Sequence, residues 1–310
     1  MMLRWVKHLA AVSTLAFVAA CGGGGDDDPD TVVQLAQGDA RFSILVEAVT
    51  AADLAGTLSG PGPFTVFAPT NDAFAALLAE LGVTKEQLLA NKTLLTAVLQ
   101  YHVVSGEVEK DDVPLGRPIT PLAGGIFKID RVGSDLVVTD GRNRTARLVA
   151  TDLEADNGVV HAIDKVLLPA DKTIVQTAAA TPSLSILVEA VTAANLAGTL
   201  SGPGPFTVFA PTDAAFAALL AELGVTKAQL LADTALLTKV LTYHVVPGNV
   251  LKAAVPVGQP IATVQGGTFT VGSNLAITDQ RGRMANITAT DVLTSNGVVH
   301  LIDKVILPAP

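Results

Sequence analysis

One cysteine, one tryptophan and two tyrosines are all that 310 residues contain of those types, and aromatic residues make up only 4% of the chain. A single cysteine, Cys21, excludes an internal disulfide, so the fold has to close on packing and hydrogen bonds alone. Long apolar runs are missing too: "LAAVSTLAFVAA" (9–20) is shorter than the roughly 20 residues that a membrane-spanning helix needs. Positive charge is scarce, with 20 Lys and Arg against 29 Asp and Glu, which disfavours nucleic acid and anionic lipid as partners. There is no G-x-S-x-G elbow, no P-loop, no H-E-x-x-H and no cysteine pair, and nothing nominates a pair of carboxylates. The expectation is a protein that is not an enzyme and holds no cofactor or metal.

What is present begins with the amino terminus. Arg4 and Lys7 precede the short apolar run, and the small residues Ala19 and Ala20 precede Cys21, the layout of an export signal. "VAAC" resembles a bacterial lipobox, which implies that Cys21 is lipidated and becomes the first mature residue. "GGGGDDDPD" (22–30) combines flexible glycines with self-repelling carboxylates and reads as a tether, since it lacks the turn glycine and distal glutamate of an EF-hand loop. Removal of the signal leaves 18 positive and 29 negative residues, a formal −11. The expected location is the cell envelope, outer membrane or cell surface as a lipoprotein, or otherwise secreted or periplasmic, touching membrane through the lipid only.

The rest of the chain is written twice. Residues 43–90 and 185–232 differ at only four aligned positions, Asp53/Asn195, Asn71/Asp213, Asp72/Ala214 and Glu86/Ala228, at a constant offset of 142. That repetition sets the organisation: signal peptide 1–20, lipidated Cys21 and tether 21–30, one domain over 31–170 and a second over 171–310, with very little linker between them. Each domain is large enough to bury about 68–70% of its unfolded surface without a metal or a disulfide.

Within one repeat, Phe42, Leu45, Val46 and Val49 recur at helical spacing, which predicts an amphipathic helix running toward Gly56 and Gly60. "PFTVFA" (63–68) is a strand, and Thr70 or Asn71, with Thr212 or Asp213 in the second copy, caps the helix that follows and stops at Gly82. Thr84 and Gln87 have the capping-box spacing, and Leu94, Leu95, Val98 and Leu99 carry another helix into Tyr101 and His102. Beyond them the period changes to strands, with Asn157-Gly158 as a hairpin dipeptide. The offset falls to 139 there, because "GGTFTVGSN" is three residues shorter than "GGIFKIDRVGSD". Helices first and strands later make each repeat an α+β domain.

"FTVFAPTNDAF", "YHVV" and "NGVVHAIDKVLLP", returning as "FTVFAPTDAAF", "YHVV" and "NGVVHLIDKVILP", resemble the signature blocks of the fasciclin family over nearly the whole mature chain. The resemblance implies two tandem fasciclin-like domains, each a β-wedge of short strands packed with several helices. It also implies exported, non-catalytic work in adhesion or matrix association. The implied ligand is an extracellular protein or glycan, or another copy of the chain; a structural spacer of the envelope or biofilm matrix, and a small lipid pocket, are the alternatives. In the family the Tyr-His pair with its aliphatic flank is linked to recognition, which nominates Tyr101, His102, Val103 and Val104, and Tyr243, His244, Val245 and Val246. The residues alone also allow rings packed in the core with satisfied polar atoms. His161 and His300 sit in the last strand with Asp164 and Asp303 three residues on. Strand alternation puts these on opposite faces, so they read as structural residues rather than dyads.

Overall fold

The computed structural model describes residues 31–310, so the expected signal peptide (1–20), Cys21 and the expected tether lie outside the described residues. The first domain opens with α1 (Val32–Gly38), whose Thr31 and Gln34 form a reciprocal capping box. The single helix expected next is two, α2 (Ser43–Ala51) and α3 (Ala55–Leu58). The break is a Schellman motif: Leu54 N–H reaches Val49 O at 3.0 Å, Asp53 N–H reaches Thr50 O at 3.1 Å, and Asp53 adopts φ 59°. Asn195 takes φ 54° at the matching break, so this difference between the repeats swaps the two non-glycine residues that best tolerate the left-handed region.

β1 (Phe64–Pro69) then crosses the middle of the domain, buried at every position after the first. α4 (Asn71–Leu81), α5 (Lys85–Ala90) and α6 (Lys92–Tyr101) follow, started by the side chains of Thr70, Thr84 and Asn91. Gly82 at φ 64° ends α4. The wedge is built from β2 (Val103–Ser105), β3 (Lys128–Val132), β4 (Asp135–Thr139), β5 (Thr145–Ala155) and β6 (Gly158–Ile163), in the order β2-β1-β6-β5-β4-β3. β1 runs parallel to β6 and every other pairing is antiparallel.

The sheet has two covered faces, which is why β1 is apolar throughout. Val66, Ala68, Val160 and Ala162 face the helices and join Phe42, Phe74, Leu95 and Leu99. Phe67 and Ile163 face the other way, into a second core with Tyr101, Phe127, Ile129 and Val138.

The second domain repeats this with α7 (Ile174–Ala179), α8 (Ser185–Ala193), α9 (Ala197–Leu200), β7 (Phe206–Pro211), α10 (Asp213–Leu223), α11 (Lys227–Ala232) and α12 (Thr234–Tyr243). Its wedge comprises β8 (Val245–Pro247), β9 (Pro260–Ala262), β10 (Thr268–Val271), β11 (Ala276–Thr278), β12 (Met284–Thr294) and β13 (Gly297–Ile302), ordered β8-β7-β13-β12-β11-β10-β9. The three-residue difference falls in the hairpin β3–β4, which is longer than β10–β11.

Candidate functional site

Tyr101 ends α6 and points into the wedge core, where its hydroxyl donates to Ile126 O at 2.6 Å and its ring meets Phe127 edge-on at 5.9 Å. His102 is the C-cap of the same helix. Leu167 N–H donates to its Nε2 at 2.8 Å, so the proton sits on Nδ1, which donates to Val98 O at 2.7 Å. The ring thus takes over a carbonyl that the ended helix would leave unpaired. The second repeat copies the arrangement, with Tyr243 bonded to Thr268 O at 2.7 Å and His244 set between Val240 O and Ile306 N. Burial pulls both histidines down to about 4, against the upward pull of the backbone carbonyls, and pushes the Tyr243 phenol up to about 12.

Tyr101, His102, Val103, Val104, Tyr243, His244, Val245 and Val246 are all buried, so none presents its side chain to a ligand in this fold. What stands outside them is a ledge. Leu122 N–H bonds Val103 O and Val264 N–H bonds Val245 O, both at 2.8 Å, and these two residues are 45% and 48% exposed. Ser105 and Pro247, two residues on from Val103 and Val245, are exposed as well.

The other signature residues also look inward. Thr70 and Thr212 accept the N–H groups of Ala73 and Ala215 as helix caps. Asn71 and Asp213 reach back to the start of α2 and α8 and accept the N–H groups of Ile44 and Ile186 at 3.0 and 2.8 Å. His161 Nδ1 accepts Asp152 N–H at 3.2 Å and its Nε2 donates to Val108 O at 2.8 Å; His300 does the same with Asp291 and Val250. Both rings hold open a bulge in the β5–β6 or β12–β13 ladder, and burial lowers both pKa values. Asp164 and Asp303 instead brace the long strand, accepting the N–H groups of Arg147 and Asn286 at 2.7 Å.

Three further polar residues work in the same way, and the sequence marks only one of them, Asn157, and that one only as a turn residue. Asp140 is buried in a turn and accepts the N–H groups of Arg142, Arg144 and Leu168; Asp279 does so for Arg281, Arg283 and Leu307. Burial outweighs those bonds and raises the Asp140 pKa. Asn157, read from sequence only as a turn residue, accepts Val32 N–H and donates to Leu58 O and Gly60 O, tying α1 and the end of α3 to the wedge. Thr65, on β1, bridges Gly106 O and Val108 N. The only sequence signal was their return at matching places in the second copy, as Asp279, Asn296 and Thr207.

The two domains meet in a joint of mixed chemistry. Lys128 on β3 pairs with Asp291 on β12 at 2.8 Å and with Asp130 at 3.0 Å, its side chain 13% exposed and that of Asp291 4%. Burial alone would lower the Lys128 pKa, but its bonds to Asp291 and Asp130 outweigh this and leave it raised. Asn143 clasps Leu293 in both directions, accepting its N–H at 2.7 Å and donating to its carbonyl at 3.1 Å. Ile126 packs on Leu251, Leu293 and Val298, and Gly116 lies so close to Ala253 that a Cβ added there would stand 2.7 Å from the alanine Cβ. No cluster of three or more metal-ligating side chains occurs among the described residues, and no helix among them is long and apolar enough to cross a membrane.

These features define a tandem α+β protein in which the repeated signatures close two cores apiece. The fasciclin domain profile matches residues 40–169 and again 182–308, and the chain belongs to the fasciclin family. It is 33% identical over 253 residues to transforming growth factor-beta-induced protein ig-h3 of Sus scrofa, covering 81% of this chain and 35% of that protein. It is 42% identical over 164 residues to protein sll1483 of Synechocystis sp., covering 52% of this chain and 86% of that protein. The chain therefore spans about a third of the length of ig-h3. Among solved structures it is similar to a FAS1 domain pair from the insect cell adhesion molecule fasciclin I, at 18% identity and a TM-score of 0.42, covering 84% of this chain and 95% of that one.

Proposed function

We propose that this chain is a non-catalytic adhesion and matrix-binding protein, held at an exported surface through lipidated Cys21, which presents its two fasciclin domains as a coupled pair to an extracellular protein or glycan. Family membership in duplicate supports the class of function. The observation that carries the mode of recognition is the inward use of the Tyr-His pair in both repeats. With the hydroxyls and imidazoles consumed by backbone partners, contact at this motif falls to the ledge that they support, Leu122 with Ser105 and Val264 with Pro247.

Two ledges on one coupled pair act as a bivalent reader, so losing both weakens attachment by far more than twofold. The test is attachment of cells or coated beads to immobilised matrix extract. Leu122→Asp with Val264→Asp lowers retention at least tenfold while circular dichroism stays unchanged. Retention equal to wild type in the folded double variant would refute the ledge as the contact surface. Metabolic labelling with a palmitate analogue tests the anchor, with label expected on wild type and lost in Cys21→Ala.

A further inference from the structure

The domain 2 side of the joint is a socket with two parts. Its base is Asp291, at φ 61°, whose Oδ1 accepts Lys252 N–H at 2.7 Å and whose own N–H is held by His300. Its rim is apolar, with Leu251 and Leu293 buried against Ile126, and Ala253 and Ala254 beside them. Domain 1 carries the same base. Asp152 has φ 57°, accepts Lys110 N–H at 2.8 Å, and is held by His161 in the same way.

Only the rim has changed. Glu109 stands where domain 2 has Leu251, Asp111 and Asp112 where it has Ala253 and Ala254, and Glu154 where it has Leu293, and all four acids are exposed. The plug has changed at the opposite end of the molecule. Ile126, Lys128 and Asn143, which domain 1 inserts into the socket, are replaced in domain 2 by Thr268, Thr270 and Gly282.

A contact between two unlike faces that does not close on itself grows into a filament. A chain with a working socket and plug in both repeats would meet that condition, because the plug of one copy's domain 2 would enter the socket of the next copy's domain 1. We propose that the acidic rim of domain 1 is a block on this head-to-tail self-association: the face has the geometry to receive a second copy of the chain, and its charge prevents it. Burying Glu109, Asp111, Asp112 and Glu154 under a plug that brings Thr270 instead of a lysine would strand carboxylates away from water with no counter-charge. The joint is therefore made once per molecule. This inference does not rest on the adhesion reading, which uses Leu122, Ser105, Val264 and Pro247 rather than the rim or the plug residues.

Two full-chain variants, both carrying Cys21→Ala so that no acyl group contributes, restore one end each. The rim variant is Glu109→Leu, Asp111→Ala, Asp112→Ala and Glu154→Leu; in the plug variant residues 266–283 are replaced by the sequence of 124–144. Sedimentation velocity is run at about 0.5 mM, near the effective concentration that a short connection supplies. Each variant alone sediments like the Cys21→Ala parent. Their mixture gives a 1:1 complex of twice the mass that cannot extend, because each partner still has one disabled end, and one chain carrying both changes forms open-ended oligomers. Circular dichroism and thermal melts confirm that each variant is folded. A mixture of folded variants that remains at the single-chain mass would overturn the proposal. So would self-association of the parent chain that disappears in Asp152→Ala.

Discussion

The block from α2 through α5 and its counterpart in the second repeat are nearly one text, with four differences across residues 43–90 and 185–232, whereas α1, α6 and the wedge have drifted in sequence, and the wedge in length as well. Even those four differences are mild. Asp53/Asn195 exchange residues that both accept a positive φ, and Asn71/Asp213 both accept an N–H at the start of α2 or α8. In the wedge one set of changes follows the joint: between 107–112, which lies outside it, and 249–254, which carries Leu251 and Ala253 into it, four of six positions differ, and all four lose a carboxylate. The α2–α5 block packs against the same strand, β1 or β7, in both copies and takes no part in the joint. The wedge edges differ, because one is a plug in a socket and the other faces solvent.

That contrast can be tested from its strongest consequence downward. Phe67 and Phe209 sit in matching cages, edge-on to Phe127 at 5.2 Å and to Phe269 at 5.0 Å. Phe67→Ala and Phe209→Ala should each lower stability by about 3–5 kcal/mol in urea unfolding, with the two losses equal within about 1 kcal/mol. A marked inequality would show that the repeats are not energetically equivalent at their cores.

Acid should strike both repeats alike. His102 and His244 have folded-state values near 4, below the unfolded value of about 6.5, so the unfolded chain binds more protons between those limits. Their contribution is whole above about pH 6.5 and is lost as the pH falls toward 4, at roughly 3 kcal/mol per residue. His161 and His300 shift in the same direction and add to the loss. Urea midpoints recorded from pH 7 to pH 4.5 check this, and a flat profile contradicts neutral histidines in the fold.

The joint should break the equivalence. Lys128→Ala leaves Asp291 buried with only the Lys252 N–H, a loss of about 3 kcal/mol, and should split one calorimetric transition into two. Thr270→Ala, at the matching position, should change stability by less than about 0.5 kcal/mol. The smallest effect belongs to the caps: Thr70→Ala and Thr212→Ala should each remove about 1 kcal/mol, since each leaves one helix N–H unpaired.

Local chemistry was legible in the sequence and cross-strand chemistry was not. Thr84 and Gln87 make the capping box that their spacing predicts, and Gly82 ends its helix with positive φ, because these signals act within a few residues of chain. The break at Asp53 was missed because aspartate, unlike glycine, does not advertise a left-handed conformation. Asp164, three residues on and just past the end of β6, accepts the Arg147 N–H and makes no bond with His161. The partner of His161, the Asp152 N–H, comes from the neighbouring strand through a bulge, and no periodicity encodes a bulge. Asp140 looks like any turn residue until Leu168 folds back over it. The joint was illegible for a related reason: Lys128 and Asp291 are 163 residues apart, and each reads as an ordinary charge on a strand.

β1 and β7 carry the same six residues, FTVFAP, and they pair in the same register, Phe64 with Gly158 and Phe206 with Gly297. Along these ladders the proper neighbour differs from its twin only at Ala162/Leu301 in β6 and β13 and at Ser105/Pro247 in β2 and β8. On the ribosome the ambiguity resolves itself, since β6 emerges and docks before β7 has been made. A chain diluted out of denaturant has lost that chronology, and its commonest error should be an exchange of strands between the repeats.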